Sequence, residues 1–169
     1  APSVGEDGED PRTKLRQRRR IIEEARADVL GLEILLQLAR KGALEGLTPT
    51  GAAVTWLTAA FRVVRLDPGG AHGIAKAIAY NFLAAEGVFI YDPTTRRYRV
   101  KVDGLGTAVA KLCEILVTMS IEGDYPGAGA LIMEYGLLSG DVQAKLGELE
   151  DVPVDIVPEY SIKAMLEGK

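Results

Sequence analysis

The sequence predicts a mainly α-helical domain that carries one small β-hairpin. Long stretches without proline have apolar residues at the helical spacing of three and four positions. Two short runs rich in β-branched and aromatic residues flank a turn sequence, and aromatic residues make up only 6% of a chain that is 47% hydrophobic. With 169 residues, the chain is long enough for one domain with its own core. We expect a single helical domain over residues 12–169, preceded by an acidic tail, residues 1–11, that is disordered or bound to a partner.

Glycine, proline and N-capping residues divide the chain into predicted elements. The first helix, residues 12–40, should end at Gly42, and its second half is apolar on most faces, which predicts deep burial. Further helices are predicted over residues 50–65, 71–86, 103–122, 124–138 and 139–149. Residues 88–102 should form the hairpin, with a loop of about six residues. The last twenty residues are expected to be extended and to lie over the body of the domain.

Composition and charge bear on the class of partner and the compartment. The net charge is −4 and the pI about 5.1, which gives no general basis for binding nucleic acid. A basic stretch interrupts the acidic background and is either a nucleic-acid-binding arm or the solvated first turns of a helix; it contains Arg12, Lys14, Arg16, Arg18, Arg19 and Arg20.

The single cysteine and the absence of long apolar runs suggest an intracellular protein. Cys113 cannot form an internal disulfide, which is compatible with a reducing compartment such as the cytoplasm. No apolar run approaches the 18 or so residues of a membrane span. The first residues carry no apolar signal region, so we expect no secretion.

One face of the first predicted helix is small and acidic. Positions 24, 27, 28 and 31 are neighbours on a helix, and they hold Glu24, Ala27, Asp28 and Gly31. Such a face lets a second helix approach closely while presenting carboxylates to it, as a metal site between helices requires. The alternative is a surface stripe that forms salt bridges with the upstream arginines.

His72 is the only histidine of the chain, and it lies one helical turn before Lys76. An adjacent ammonium disfavours protonation of the imidazole, and a neutral imidazole that donates one hydrogen bond and accepts another suits the polarisation of a carbonyl group. The alternative is a histidine that caps or packs at a helix start. Three other notable residues, Trp56, Tyr80 and Cys113, are expected to be core residues.

Three segments in a fixed order carry a resemblance to a known family. They are Glu23-Glu-Ala-Arg-Ala-Asp, Gly70-Ala-His-Gly-Ile-Ala-Lys and Ser120-Ile-Glu-Gly-Asp-Tyr-Pro-Gly-Ala-Gly-Ala-Leu-Ile-Met-Glu-Tyr-Gly. Together they resemble the dipeptidyl peptidase III family of zinc exopeptidases over residues 21–160. The resemblance covers only the C-terminal part of that family's catalytic domain.

The resemblance implies roles for four residues. Glu24 matches the family's third zinc ligand, and Glu23 matches a glutamate that orients a zinc-bound histidine. His72 matches a histidine that contacts the substrate and stabilises the transition state. Lys76 stands where the family usually has a substrate-binding arginine, and lysine lacks the bidentate fork of arginine.

The resemblance is incomplete at the metal. The family's other two zinc ligands and its general base come from a helix with a His-Glu-x-x-x-His pattern, which a chain with one histidine lacks. Because a catalytic zinc needs about three protein ligands and a water, zinc is expected only if another chain completes the site. The chain is then either a segment that supplies Glu24 and His72 to a peptidase but is inactive alone, or a non-catalytic scaffold or protein-binding module within a larger assembly.

The two interpretations of the site residues differ in geometry. If the peptidase resemblance holds, Glu24 and His72 should face the same cleft, within about 12 Å of each other, because one must reach a metal and the other a carbonyl beside it. A capping histidine and a surface glutamate need not lie close together.

Overall fold

Seven α-helices and one antiparallel hairpin make up residues 8–153, the part of the chain that the computed structural model describes. The predicted fold class is therefore confirmed. The elements in order are α1 (Pro11–Lys14), a 3-10 helix (Arg16–Arg18), α2 (Arg19–Arg40), α3 (Pro49–Leu66), α4 (Ala71–Ala85), β1 (Phe89–Asp92), β2 (Arg97–Val100), α5 (Leu105–Glu122), α6 (Tyr125–Tyr135) and α7 (Gly140–Gly147).

The first predicted helix is interrupted near its start. The 3-10 helix separates α1 from α2, and Arg16 has a φ of 48°, which residues other than glycine rarely adopt. The break lets the side chain of Leu15 enter the core, where it is 1% exposed. The prediction of one continuous helix over residues 12–40 is therefore wrong at this point, because tertiary packing outweighs the helical propensity of the local sequence.

Side-chain caps and glycine define the other helix ends close to the predicted positions. Gly42, just beyond α2, has a φ of 61°, the left-handed conformation that often follows a helix. The Thr48 side chain accepts a hydrogen bond from the backbone N–H of Gly51 at the start of α3. Asp124 does the same for Gly127 at the start of α6. These oxygens satisfy N–H groups that have no partner within the first turn.

The hairpin lies where the sequence predicts it, but its loop is shorter. Asp92 pairs with Arg97 across the two strands, so the loop comprises residues 93–96 rather than about six residues. The Asp92 carboxylate accepts hydrogen bonds from the backbone N–H groups of Thr94 and Thr95, which holds this tight turn.

Helix α2 lies at the centre of the domain and packs against α3, α4 and α5. Its side chains Leu32 and Leu36 are 1% and 0% exposed. The expectation that its second half is buried on most faces is wrong on one side, where Ile34 is 57% and Leu35 38% exposed. Part of their apolar surface therefore stays uncovered within residues 8–153.

Parts of the predictions fall outside the described residues. The acidic tail is described only from Gly8, and within it Asp10 caps α1 while Pro11 begins that helix. The extended conformation expected for the last twenty residues concerns a segment of which only the start, up to Pro153, is described. Among residues 8–153, no helix is both long enough and apolar enough to cross a membrane.

Candidate functional site

Helices α2 and α4 bring the candidate residues together at one open pocket of about 390 Å³. The acidic face of α2 forms one wall and the first two turns of α4 form the other. Val63 of α3 contributes to the lining as well. The lining residues from α2 and α4 are Glu24, Ala27, Asp28, His72, Ala75 and Lys76.

Glu24 and His72 meet directly at this pocket. His72 Nδ1 lies 3.1 Å from Glu24 Oε2, and the two side chains are 53% and 33% exposed. The predicted convergence on one cleft is therefore confirmed. His72 does not cap its helix, because the N-cap position of α4 is Gly70. The imidazole of His72 is therefore in close contact with the Glu24 carboxylate.

A second carboxylate–cation pair lies one turn further along both helices. Lys76 Nζ lies 2.5 Å from both Oδ1 and Oδ2 of Asp28, and its hydrogen bond is to Oδ1. The Lys76 side chain is only 11% exposed. Its ammonium also lies 4.5 Å from the ring centroid of Trp56 on α3, a favourable cation–π distance.

This second pair bears on two predictions from the sequence. Lys76 lies one turn after His72 as predicted, but its ammonium is paired with the Asp28 carboxylate. Lys76 lines the pocket, yet it would have to leave Asp28 and Trp56 to bind a substrate. Its substrate-binding role stays a prediction.

Glu23 differs from Glu24 although the two are adjacent in sequence. Its carboxylate accepts a hydrogen bond from Arg19 Nε at 2.8 Å, one turn earlier on the same helix. It is not among the residues that line the pocket. A surface salt bridge with an upstream arginine is thus formed by Glu23, which lies next to the acidic face, whereas Glu24 pairs with His72.

The basic stretch is engaged by the domain itself. Arg18 donates a hydrogen bond to the backbone oxygen of Tyr125, and its guanidinium lies 3.8 Å from the centroid of that ring. Gln17 donates to the hydroxyl of the same tyrosine, and Arg12 pairs with Asp10. The contacts of Gln17 and Arg18 fasten the 3-10 helix to the start of α6.

The donors within residues 8–153 do not fit a complete metal site. No group of three histidine, cysteine, aspartate or glutamate side chains in this part of the chain is arranged to hold a metal ion. Two acidic side chains line the pocket, Glu24 and Asp28, and Asp28 is already paired with the ammonium of Lys76. Because a catalytic zinc takes about three protein ligands, no reaction step through a metal follows from these residues alone.

Sequence reasoning missed two contributors to this region. Asp28 was recognised as part of the acidic face but not as the partner of Lys76, and Trp56 was assigned to the core, where it is indeed 7% exposed. The signal for Asp28 was available, because residues 24 and 28 on one helix and 72 and 76 on the other have the same spacing. Nothing in the sequence indicates that Trp56 lies against Lys76.

Comparisons with known proteins give one curated relative and two similar solved structures. No family model matches the chain. The chain is 32% identical over 159 residues to Nudix hydrolase 3 of Arabidopsis thaliana, which covers 92% of this chain but only 20% of that protein. The activity in that name therefore describes a protein about five times longer than the matched region.

The solved structures are those of dipeptidyl peptidase III from Caldithrix abyssi and from Corallococcus sp. strain EGB. Their TM-scores are 0.85 and 0.83, at 30% and 31% sequence identity. Both matches cover 94% of this chain, but 30% and 29% of those enzymes. The chain thus resembles dipeptidyl peptidase III over nearly its whole length and has the fold of just under a third of such an enzyme.

Proposed function

We propose that this chain is the part of a dipeptidyl peptidase III-like zinc metallopeptidase that supplies a metal-binding glutamate, Glu24, and a substrate-contacting histidine, His72. It is inactive until another polypeptide segment completes the site. The observation that carries the proposal is the direct contact between these two side chains at one open pocket. The similarity to dipeptidyl peptidase III over 94% of the chain supports it.

The two residues can act without competing. A carboxylate has two oxygens with about four lone-pair sites, so Glu24 can bind a metal through one oxygen while His72 remains at the other. A nitrogen of the His72 imidazole that carries a hydrogen can donate it to a substrate carbonyl. It would then stabilise the negative charge that develops on that oxygen when the peptide bond is attacked.

Glu23 has a supporting role in this proposal. Its carboxylate would orient a metal-bound imidazole that the completing segment brings, exchanging Arg19 for that partner. The exchange costs little free energy, because an exposed ion pair one helical turn apart stabilises a protein by only about 0.3–0.5 kcal/mol.

An uncovered apolar stripe indicates where the completing segment would pack. The face of α2 that begins with Glu24 and Asp28 continues through Gly31 to the exposed side chains of Ile34 and Leu35. A helix that lies along this face would bury the apolar end and bring its own side chains to Glu24 at the other end. We propose that it carries the His-Glu-x-x-x-His pattern that this chain lacks, and that a peptide is then the substrate.

The incomplete donor set favours a second candidate. A chain whose residues 8–153 hold no group of three metal-binding side chains, and in which Lys76 is paired with Asp28, suits a non-catalytic scaffold or protein-binding module derived from the same fold. This module would use the same apolar face of α2 to hold its partner.

The experiment that separates the candidates uses the native assembly that contains this chain. Its polypeptides are identified by mass spectrometry, its zinc content is measured by inductively coupled plasma mass spectrometry, and release of dipeptides is followed with and without chelator. The peptidase proposal expects a partner with a His-Glu-x-x-x-His pattern, zinc, and activity that the chelator abolishes.

Two variants and a control then test the residues. Glu24→Gln should remove the zinc. It should also lower activity by more than roughly 10- to 100-fold, the loss that is typical when a residue that only supports a metal ligand is replaced. His72→Ala should keep the zinc and lower kcat by about 100- to 1,000-fold. Glu114→Gln, on the exposed face of α5, should change neither. An assembly without zinc, unaffected by Glu24→Gln, would establish the scaffold candidate instead.

A further inference from the structure

The pairs Glu24–His72 and Asp28–Lys76 form two successive rungs between α2 and α4. Each rung joins residues 48 positions apart, and within each helix the two rungs are one turn apart. Because the earlier residue of one helix pairs with the earlier residue of the other, the helices run in the same direction here. The rungs therefore share one register, and a shift of either helix would disrupt both.

The two rungs differ in their exposure to solvent. In the outer rung the side chains of His72 and Glu24 are 53% and 33% exposed. In the inner rung those of Lys76 and Asp28 are 11% and 26% exposed. An exposed pair contributes little and samples several side-chain geometries, whereas separating a buried pair leaves a charge without compensation. The inner rung is thus the one that holds the helices in register.

Trp56 extends the inner rung to a third helix. The Lys76 ammonium lies between the Asp28 carboxylate and the Trp56 ring, so α2, α3 and α4 meet at one cation. The indole is itself fixed, because it stacks on Phe89 with the ring centroids 5.8 Å apart, and Phe89 is 2% exposed.

We propose that Asp28, Lys76 and Trp56 form a positioning clamp that keeps His72 against Glu24. The proposal rests on the proposed function for its consequence, the placement of His72 beside a metal-bound substrate. Lys76 acts here through its neighbours rather than by touching the substrate. The clamp explains how two partly exposed side chains are held in contact across the mouth of an open pocket.

The chain has one tryptophan and one histidine, so each rung has its own spectroscopic reporter. Trp56 fluorescence follows the inner rung. Nuclear Overhauser contacts between the His72 ring and the Glu24 methylene protons follow the outer rung. Both are measured on the full 169-residue chain, and neither needs a metal, a substrate or activity.

Lys76→Met should shift the Trp56 emission and reduce the intensity of the His72–Glu24 contacts by at least half, with the helical circular dichroism unchanged. Lys76→Arg, which keeps the charge, should retain most of the contact intensity. Lys111→Met is the matched control, because Lys111 also pairs with a carboxylate, that of Glu86, and lies 5.7 Å from the Phe82 ring centroid, but its side chain is 55% exposed. It should leave the His72–Glu24 contacts unchanged.

A change in Trp56 emission with unaltered His72–Glu24 contacts would overturn the clamp and leave Lys76 a purely structural residue. If Lys76→Met does not fold, Asp28→Asn decides the question by the same two readouts. In the completed assembly, Asp28→Asn should lower kcat and leave the zinc content unchanged. Suppose that Lys76→Met reduces the His72–Glu24 contacts, while Glu24→Gln changes neither the zinc content nor the activity of that assembly. The proposed function is then wrong, and the clamp is still supported.

Discussion

Two glycines at helix ends have the same backbone conformation but different surroundings. Gly42 follows α2 with a φ of 61°, and Gly123 follows α5 with a φ of 69°. A Cβ atom at Gly42 would meet nothing within 4 Å. A Cβ atom at Gly123 would lie 2.8 Å from both the Pro11 backbone oxygen and the Lys14 Cβ of α1. Backbone strain is therefore common to both positions, and steric conflict is specific to Gly123.

Alanine substitutions at these glycines should separate the two effects. Gly42→Ala should lower the free energy of unfolding by about 1–2 kcal/mol, the cost of a left-handed conformation for an L-residue. Gly123→Ala should cost about 1–3 kcal/mol more, because α1 must move to relieve the overlap. Urea denaturation measures both, and equal losses for the two variants would contradict the steric account.

At the scale of elements, a partly buried hydrogen bond fastens α7 to α4. Tyr80 of α4 donates a hydrogen bond to Asp141 Oδ2 of α7 at 2.6 Å. Burial raises the pKa of Asp141, but the nearby hydroxyl groups of Ser139, Tyr80 and Tyr98 outweigh it, and the net pKa lies below its ordinary value of 3.8. Burial and the adjacent carboxylate in turn raise the pKa of Tyr80. Each group therefore favours the protonation state that makes this bond.

Tyr80→Phe should lower the free energy of unfolding at pH 7 by about 1.5–3 kcal/mol, since it removes a hydrogen bond to a charged acceptor. The pKa of Asp141 is lowered by folding, so its stabilising contribution is present above pH 3.8 and is lost as the pH falls through the folded-state pKa. The difference between wild type and variant should therefore shrink in acid.

Urea titrations across the acid range test this dependence. Tyr91→Phe is the control, because Tyr91 contacts the Tyr98 ring but is not a hydrogen-bond partner of Asp141. A loss of unfolding free energy for Tyr80→Phe that stays constant with pH would show that the hydrogen bond to Asp141 does not account for it.

At the scale of the whole molecule, the apolar surface is covered unevenly. On α2, Leu36 is fully buried whereas Leu35 is 38% exposed. Met133 and Leu137, on and just after α6, are 82% and 78% exposed. The similar dipeptidyl peptidase III structures are about three times longer than the matched region. Exposed apolar side chains of this kind are what a part of such a fold would present to the segment that completes it.

Substitutions at neighbouring leucines test which surface belongs to the domain. Leu36→Ala should cost about 2–5 kcal/mol of unfolding free energy, because it opens a cavity in the core. Leu35→Ser should cost within about 0.5 kcal/mol, as surface substitutions do, but should weaken assembly with the completing polypeptide. Thermal unfolding and co-purification are the measurements, and a large loss of stability from Leu35→Ser would mean that this face is part of the core.

The isolated chain provides a further test of the incomplete site. A homogeneous preparation should release no dipeptide from a peptide with a free N-terminus, with or without added zinc, because one carboxylate and one histidine do not make a catalytic zinc site. Chromatographic analysis of the products is the measurement. Activity that a chelator abolishes would show that the chain holds metal ligands besides Glu24.

Local rules in the sequence determined the helices, their caps and the hairpin. They also determined which residues lie on the same face of α2 and of α4. The spacing of residues 24 and 28, and of residues 72 and 76, places each pair on one side of a helix whatever the rest of the fold does. The order of three short segments then indicated the family whose fold the chain resembles. These inferences succeeded because capping, periodicity and helical geometry depend on residues within one or two turns of each other.

Only the tertiary structure decided which of these faces meet and what remains exposed. It broke the first helix at Arg16 to bury Leu15, paired Lys76 with Asp28 and Trp56, and left Leu35 uncovered. Each outcome depends on contacts between residues far apart in sequence, and the energy of such a contact is set by burial and by neighbours on other helices. A local pattern cannot contain that information, because burial is a property of the assembled helices and not of any one of them.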